Sequence, residues 1–149
     1  MVRQLVLMRH AQAGNSAPTD FERPLTPSGM ADADRVGEVL AQRYDGFDRI
    51  IASAARRTHS TAQAVASQCG YPRQAIDLRP EIYDAMPGLL LSVLQAQPDS
   101  AQRVLLVAHN PGISYLASML TRKPGVTLAP AEYVELDLDL PSWTELGSG

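Results

Sequence analysis

The sequence predicts an α/β fold: a three-layer α/β/α sandwich whose sheet is mostly parallel, with one antiparallel edge strand. Three observations predict it. Short apolar runs alternate with longer segments of helical pattern, the order that places helices on both faces of a parallel sheet. Two of the runs, Leu5-Val6-Leu7-Met8 and Val104-Leu105-Leu106-Val107-Ala108, carry no polar alternation, as strands buried on both faces should. The last run, Tyr133-Val134-Glu135-Leu136-Asp137-Leu138-Asp139-Leu140, alternates apolar and acidic residues and reads as a half-buried antiparallel edge strand with one wet face.

In chain order, the first strand covers about residues 3 to 8, and residues 11 to 25 are a polar loop holding Gly14, Asn15, Ser16, Pro18 and Pro24. Thr26-Pro27 reads as an N-cap followed by proline at the first helical position. That helix runs to about Gln42, with Ala33, Val36, Gly37 and Leu40 on its apolar face, and Asp45-Gly46 breaks it. Arg49-Ile50-Ile51-Ala52 is a second strand, and a helix follows from the turn at Ser53 to about Cys69, where Gly70-Tyr71-Pro72 ends it. Ala75-Ile76-Asp77-Leu78 is a third strand, residues 79 to 87 a loop, and a short helix reaches about Gln97. The fourth strand, about 103 to 108, leads to a helix starting at Pro111 and ending near Leu120. The only tryptophan, Trp143, falls in the tail, and Gly147-Ser148-Gly149 reads as a loose end.

With 149 residues and 45% hydrophobic content the chain is expected to form one domain over residues 1–149. At this length about 70% of the unfolded surface can be buried, so neither a metal nor a disulfide is needed as a staple. A net charge of −3, with no long basic run and no aromatic ladder, argues against nucleic acid as the partner. Cys69 is the only cysteine, so no internal disulfide can form, which fits a reducing compartment. The apolar run near the N-terminus is too short for a signal peptide, and none approaches the roughly 20 residues that span a bilayer. The expectation is a cytoplasmic protein with no membrane partner.

Two strands end on histidine. The first stops at Arg9-His10 and the fourth at His109-Asn110-Pro111-Gly112. Open α/β sheets bind ligands at the C-terminal ends of their strands, so these histidines can face each other across one pocket. A third element, Ser53-Ala-Ala-Arg-Arg57-Thr-His-Ser-Thr61, brings cations to the end of another strand. Such a set suits phosphoryl transfer through histidine. A neutral imidazole attacks phosphorus when one ring nitrogen is held protonated, and arginine binds the phosphoryl oxygens with its fixed fork. Arg9, Arg57 and His109 form the cradle around His10 in this reading, and the helix after Pro111 adds a positive dipole end.

At these residues the chain resembles the histidine phosphatase superfamily, the phosphoglycerate mutase-like proteins, and within it the short SixA-like phosphohistidine phosphatases. The family's strand-Arg-His-Gly is here Leu-Val-Leu-Met-Arg9-His10-Ala11, with alanine in place of glycine. Its Ser-x-x-x-Arg-x-x-x-Thr helix start matches Ser53, Arg57 and Thr61, a register that selects Arg57 over Arg56. Its second histidine, in strand-His-Asn-Pro, matches His109. Glu22-Arg23-Pro24-Leu25-Thr26 is similar to the SixA-like loop, with Arg23 at the pocket mouth. The chain has no room for the long insertions that cover the pocket of the mutases, so the resemblance implies an uncovered site suited to a phosphate carried on a protein.

The resemblance implies His10 as nucleophile, Arg9, Arg57 and His109 as phosphate ligands, and Glu81, in the loop after the third strand, as general acid, with Asp84 the poorer candidate. Asn15 joins the phosphate ligands or makes a turn. Ser53 and Thr61 read as cap and packing groups, His59 as structural or solvent-facing, and Arg56 as a surface charge. The wet face of the last strand accounts for Asp137 and Asp139. Cys69 lacks the five-residue loop to an arginine that a cysteine phosphatase needs, no spacing fits a metal site, and there is no P-loop. The expected activity is metal-independent and cofactor-free hydrolysis of phosphohistidine on a protein, such as a histidine phosphotransfer domain, or of a phosphomonoester, through a phospho-His10 intermediate. A small-molecule or sugar-phosphate phosphatase and a non-catalytic phosphate-binding module are the alternatives.

Overall fold

The computed structural model describes residues 2–148. Five strands, β1 (Val2–Arg9), β2 (Arg49–Ser53), β3 (Asp77–Arg79), β4 (Arg103–Ala108) and β5 (Tyr133–Asp139), form one sheet in the order β3-β2-β4-β1-β5. The first four are mutually parallel, and β5 runs antiparallel to β1 from Val2↔Asp139 to Met8↔Tyr133. Four helices complete the layers: α1 (Pro27–Arg43), α2 (Arg56–Cys69), α3 (Pro87–Gln95) and α4 (Gly112–Thr121).

The period of two along the buried strands decides which helices they meet. Leu5, Leu7, Val104 and Leu106 pack with Leu90, Leu94, Ile113 and Leu116 of α3 and α4. Val6, Met8, Leu105 and Val107 face the other way, onto Ala33, Leu40, Ala62 and Val65 of α1 and α2. Both faces of the central strands are therefore dry, which explains their unbroken apolar runs. β5 covers the edge with Leu136 buried and Asp137 and Asp139 exposed, as its alternation predicts.

Local chemistry sets the element ends. The Thr26 hydroxyl accepts the Gly29 N–H at 3.0 Å, and Pro27 opens α1. Gly37 lets α1 and α2 approach closely, because a Cβ there would lie 2.9 Å from Gln68 Cγ. Gly112 has the same role for α4, where an added Cβ would stand 2.0 Å from the Ala85 carbonyl oxygen.

The structure sharpens the sequence expectation at several element ends. Residues 73–75 wind into a 3-10 turn after Pro72, so the third strand begins at Asp77 and not at Ala75. Ser53 closes β2 and opens the turn that leads into α2 at Arg56, as the sequence reading has it. Pro111 follows a cis peptide bond and precedes α4, which starts at Gly112. Trp143 is fully buried in the core, and its indole N–H donates to the Ala101 carbonyl at 2.6 Å. Leu146, just before the expected loose end, is tied to α3, where the Gln95 side chain donates to its carbonyl at 2.9 Å. Ser148 N–H reaches Glu145 O at 3.1 Å, while Gly149 lies outside the described residues.

Arg3 explains why the chain returns to the sheet at Trp143. This arginine is buried, and its guanidinium donates to four carbonyls, those of Asp99, Ala101, Leu140 and Pro141, at 2.8–3.2 Å. It also lies 5.6 Å from the centre of the Trp143 ring. A cation satisfied by carbonyl oxygens and an aromatic face pins the end of β5 under the sheet, far from the strand C-termini.

The parallel register brings the C-terminal ends of β1, β2 and β4 to one edge. Val107 pairs with both Met8 and Ala52, and Ala108 with Arg9. His10, Ser53 and His109, each one step further on, arrive side by side.

Candidate functional site

His10 and His109 meet as expected of two strand-end residues, with ring centroids 5.4 Å apart and ring planes at 62°. His10 Nδ1 lies 2.7 Å from the Ala11 carbonyl oxygen. A carbonyl only accepts, so Nδ1 carries the proton and Nε2 keeps its lone pair. Burial is the main cause that lowers the His10 pKa, to about 4, with Arg57, Arg9 and Arg23 adding to it and the Ala11 bond opposing it. The ring is neutral at pH 7. Ala11 is in turn fixed by Thr61, whose Oγ accepts the Ala11 N–H at 3.0 Å and donates to the Arg57 carbonyl at 2.7 Å. Thr61 therefore links the His10 turn to the first turns of α2.

His109 is 2% exposed. Its Nε2 stands 2.8 Å from Ser53 Oγ, which also accepts the Ala55 N–H at 3.3 Å. The Ser53 hydroxyl donates to Nε2 and leaves the ring proton on Nδ1. That nitrogen is buried without a hydrogen bond and lies 3.6 Å from Asp84 Oδ1. A neutral ring facing a carboxylate with N–H, rather than with a lone pair, is the arrangement these partners select. Burial, then the Arg57 charge, lowers the His109 pKa to about 3, so its contact with Asp84 is polar and not an ion pair.

Arg57 is 4% exposed, at the start of α2. It donates to the Asp20 carbonyl at 2.7 Å and to Asp20 Oδ2 at 3.0 Å, and its Nη2 lies 3.9 Å from Asp84 Oδ1. Asp20 is held also by Arg23 at 3.0 Å and by the Tyr83 hydroxyl. These bonds, the Tyr83 one foremost, keep the Asp20 carboxyl far below the ordinary carboxylate range. Arg9 donates through Nη1 to the Leu128 carbonyl at 3.1 Å, while its Nε is buried without a partner. Two donor atoms at this edge, Arg9 Nε and His109 Nδ1, are thus buried and unsatisfied, which is the condition of a site awaiting an acceptor.

Two expected members are exposed. Glu81 is exposed, and its carboxylate pairs with Arg79 at 3.4 Å. The 3-10 turn at 80–82 buries Ile82 in the core and so turns its neighbour Glu81 outward, and the carboxylate beside His109 is that of Asp84. Asp84 gets there by adopting a left-handed backbone, φ +52°, uncommon for a residue other than glycine though easiest for Asn and Asp. Asn15 is exposed, and its backbone carbonyl accepts the Ala17 N–H at 3.0 Å in a turn. Ser53 and Thr61, expected to cap and pack, are fully buried and also orient His109 and Ala11. Asp20 and Tyr83 carried no sequence signal. Among the described residues no three His, Cys, Asp or Glu side chains group as metal ligands.

The family model of the histidine phosphatase superfamily (branch 1) matches residues 5–89. The chain belongs to the histidine phosphatase superfamily. It is a phosphatase with the α/β fold of that family. It is 29% identical over 126 residues to phosphohistidine phosphatase SixA of Escherichia coli K12, covering 83% of this chain and 76% of that protein. A structure from Nakamurella multipartitia, assigned as a phosphohistidine phosphatase SixA, superposes with a TM-score of 0.80 at 30% identity, covering 99% of this chain and 90% of that one. A structure of protein histidine phosphatase SixA complexed with tungstate gives a TM-score of 0.75 at 26% identity, covering 89% and 86%. Among the described residues no helix is long and apolar enough to cross a membrane.

Neutral buried histidines make stability depend on acid. The unfolded chain protonates these rings near pH 6.5, whereas the folded one does so only near pH 4 for His10 and pH 3 for His109. Between those values the unfolded state binds more protons, so stability is complete above about pH 6.5 and falls as the pH drops toward 4. Urea unfolding should show a loss of about 1–2 kcal/mol per ring at pH 5, reduced in His109→Asn. Equal pH dependence in that variant would contradict a neutral His109.

Proposed function

We propose that this phosphatase hydrolyses phosphohistidine carried on a protein, such as a histidine phosphotransfer domain, without a metal and through a phosphoenzyme on His10. The observation that carries the reading is the His10 tautomer, with Nδ1–H on the Ala11 carbonyl and a neutral Nε2 beside His109. In this mechanism Nε2 attacks phosphorus, and the positive charge that develops on the His10 ring rests on the Ala11 carbonyl. Arg9, Arg57 and His109 Nδ1–H hold the phosphoryl oxygens, and Arg57 leaves Asp20 to do so. Burial strengthens each of these bonds by excluding water. Water then attacks the phosphohistidine and regenerates His10. Likeness to SixA supports a phosphohistidine substrate, and a single unpaired Cys69 accords with work in the cytoplasm.

The test compares a phosphotransfer domain phosphorylated on histidine with a panel of sugar phosphates and other small esters, all with chelator present. The phosphoprotein should be preferred in kcat/KM by more than about tenfold, or 1.4 kcal/mol of transition-state binding. A preference for a sugar phosphate would assign a metabolic ester instead. Phosphate binding with no turnover on any substrate would make the chain a binding module.

A further inference from the structure

The cradle is bordered by groups that a plain phosphate ester does not call for. Ring contacts run outward from the nucleophile: His10 to His109, His109 to Tyr83 at 5.4 Å and 80°, and Tyr83 to Phe21 at 5.2 Å and 80°. Exposure rises along this line from 2% at His109 to 39% at Phe21. In-line attack by His10 sends the leaving group away from His10, toward the solvent end of that aromatic wall. At the same place the strained turn aims Asp84 at Arg57 and at the unsatisfied, buried His109 Nδ1. A carboxylate beside a phosphate site repels an incoming dianion. Its presence fits a substrate that brings a positive charge next to its phosphorus.

We infer that Asp84 and the Tyr83–Phe21 wall form a leaving-group subsite for a protonated, planar N-phosphorylated imidazole. This rests on the hydrolase reading above and names what selects its substrate. The unphosphorylated nitrogen of the substrate ring donates its N–H to Asp84, and the ring lies against the aromatic wall. The lone pair of His10 Nε2 forms the new P–N bond. The old P–N bond breaks, its electron pair stays on the departing ring nitrogen, and the ring leaves as neutral imidazole, its other nitrogen keeping its proton and donating it to Asp84 as a hydrogen bond. The two rings are then held alike, His10 by a carbonyl and the substrate by a carboxylate. No acid has to protonate the leaving atom, so the outward turn of Glu81 removes nothing that this substrate needs.

The experiment measures kcat/KM for N-phosphoimidazole and for p-nitrophenyl phosphate in the wild type, Asp84→Asn and Asp84→Gly. Both replacements accept a positive φ, which protects the fold. The ratio of the two values should fall at least tenfold in both variants, in the direction of the ester. An unchanged ratio, including equal loss on both substrates, overturns the subsite. A wild type that hydrolyses neither substrate, or a His10→Asn variant that hydrolyses both at wild-type rates, overturns the hydrolase reading itself and this inference with it.

Discussion

His10→Asn should lower phosphatase turnover by at least about 10⁴-fold, the scale seen when a covalent nucleophile is removed. Asparagine fills similar space and can still donate to the Ala11 carbonyl, so the turn around Thr61 should hold. Only the Nε2 lone pair is lost. The variant should therefore keep binding inorganic phosphate or tungstate through Arg9, Arg57 and His109 while releasing none from substrate. Retention of more than a few per cent of turnover would contradict attack by His10.

Arg57→Met is expected to lower kcat/KM by about 10³-fold, the range for losing a preorganised donor to a phosphoryl group. Two effects add. The buried fork that meets the phosphoryl oxygens is gone, and Asp84 is left beside the site without its cation while Asp20 keeps only Arg23 as a cation. Arg57→Lys should recover only a small part, because an ammonium cannot reproduce a two-armed contact. Chelated phosphatase assays with both variants check this. Wild-type kcat/KM in Arg57→Met would remove Arg57 from phosphate binding and leave it as the anchor of the loop at Asp20.

The fold was legible because strand period and strand burial agree. Two runs with no polar break could only be central, and the alternating run ending in Asp139 could only be an edge. The meeting of His10 and His109 was legible for the same reason, since parallel strands in register deliver their C-terminal residues to one edge. What escaped depends on contacts distant in sequence. Nothing local ties Asp20 to Arg57, 37 positions away, or Ser53 to His109, 56 positions away. That Asp84 and not Glu81 lies beside His109 turns on one 3-10 turn and one positive φ, and spacing cannot announce either. The burial of Trp143 was not legible because it packs with Arg3, at the opposite end of the chain.

The most direct measurement is a rapid acid-free quench of the wild type with a phosphohistidine protein labelled in its phosphoryl group, followed by peptide mapping. Label on the peptide containing His10, stable to alkali, lost in acid and missing from His10→Asn, is the predicted result. Turnover of that substrate with no label on His10 at any quench time, and with His10→Asn still active, would contradict a phosphohistidine intermediate.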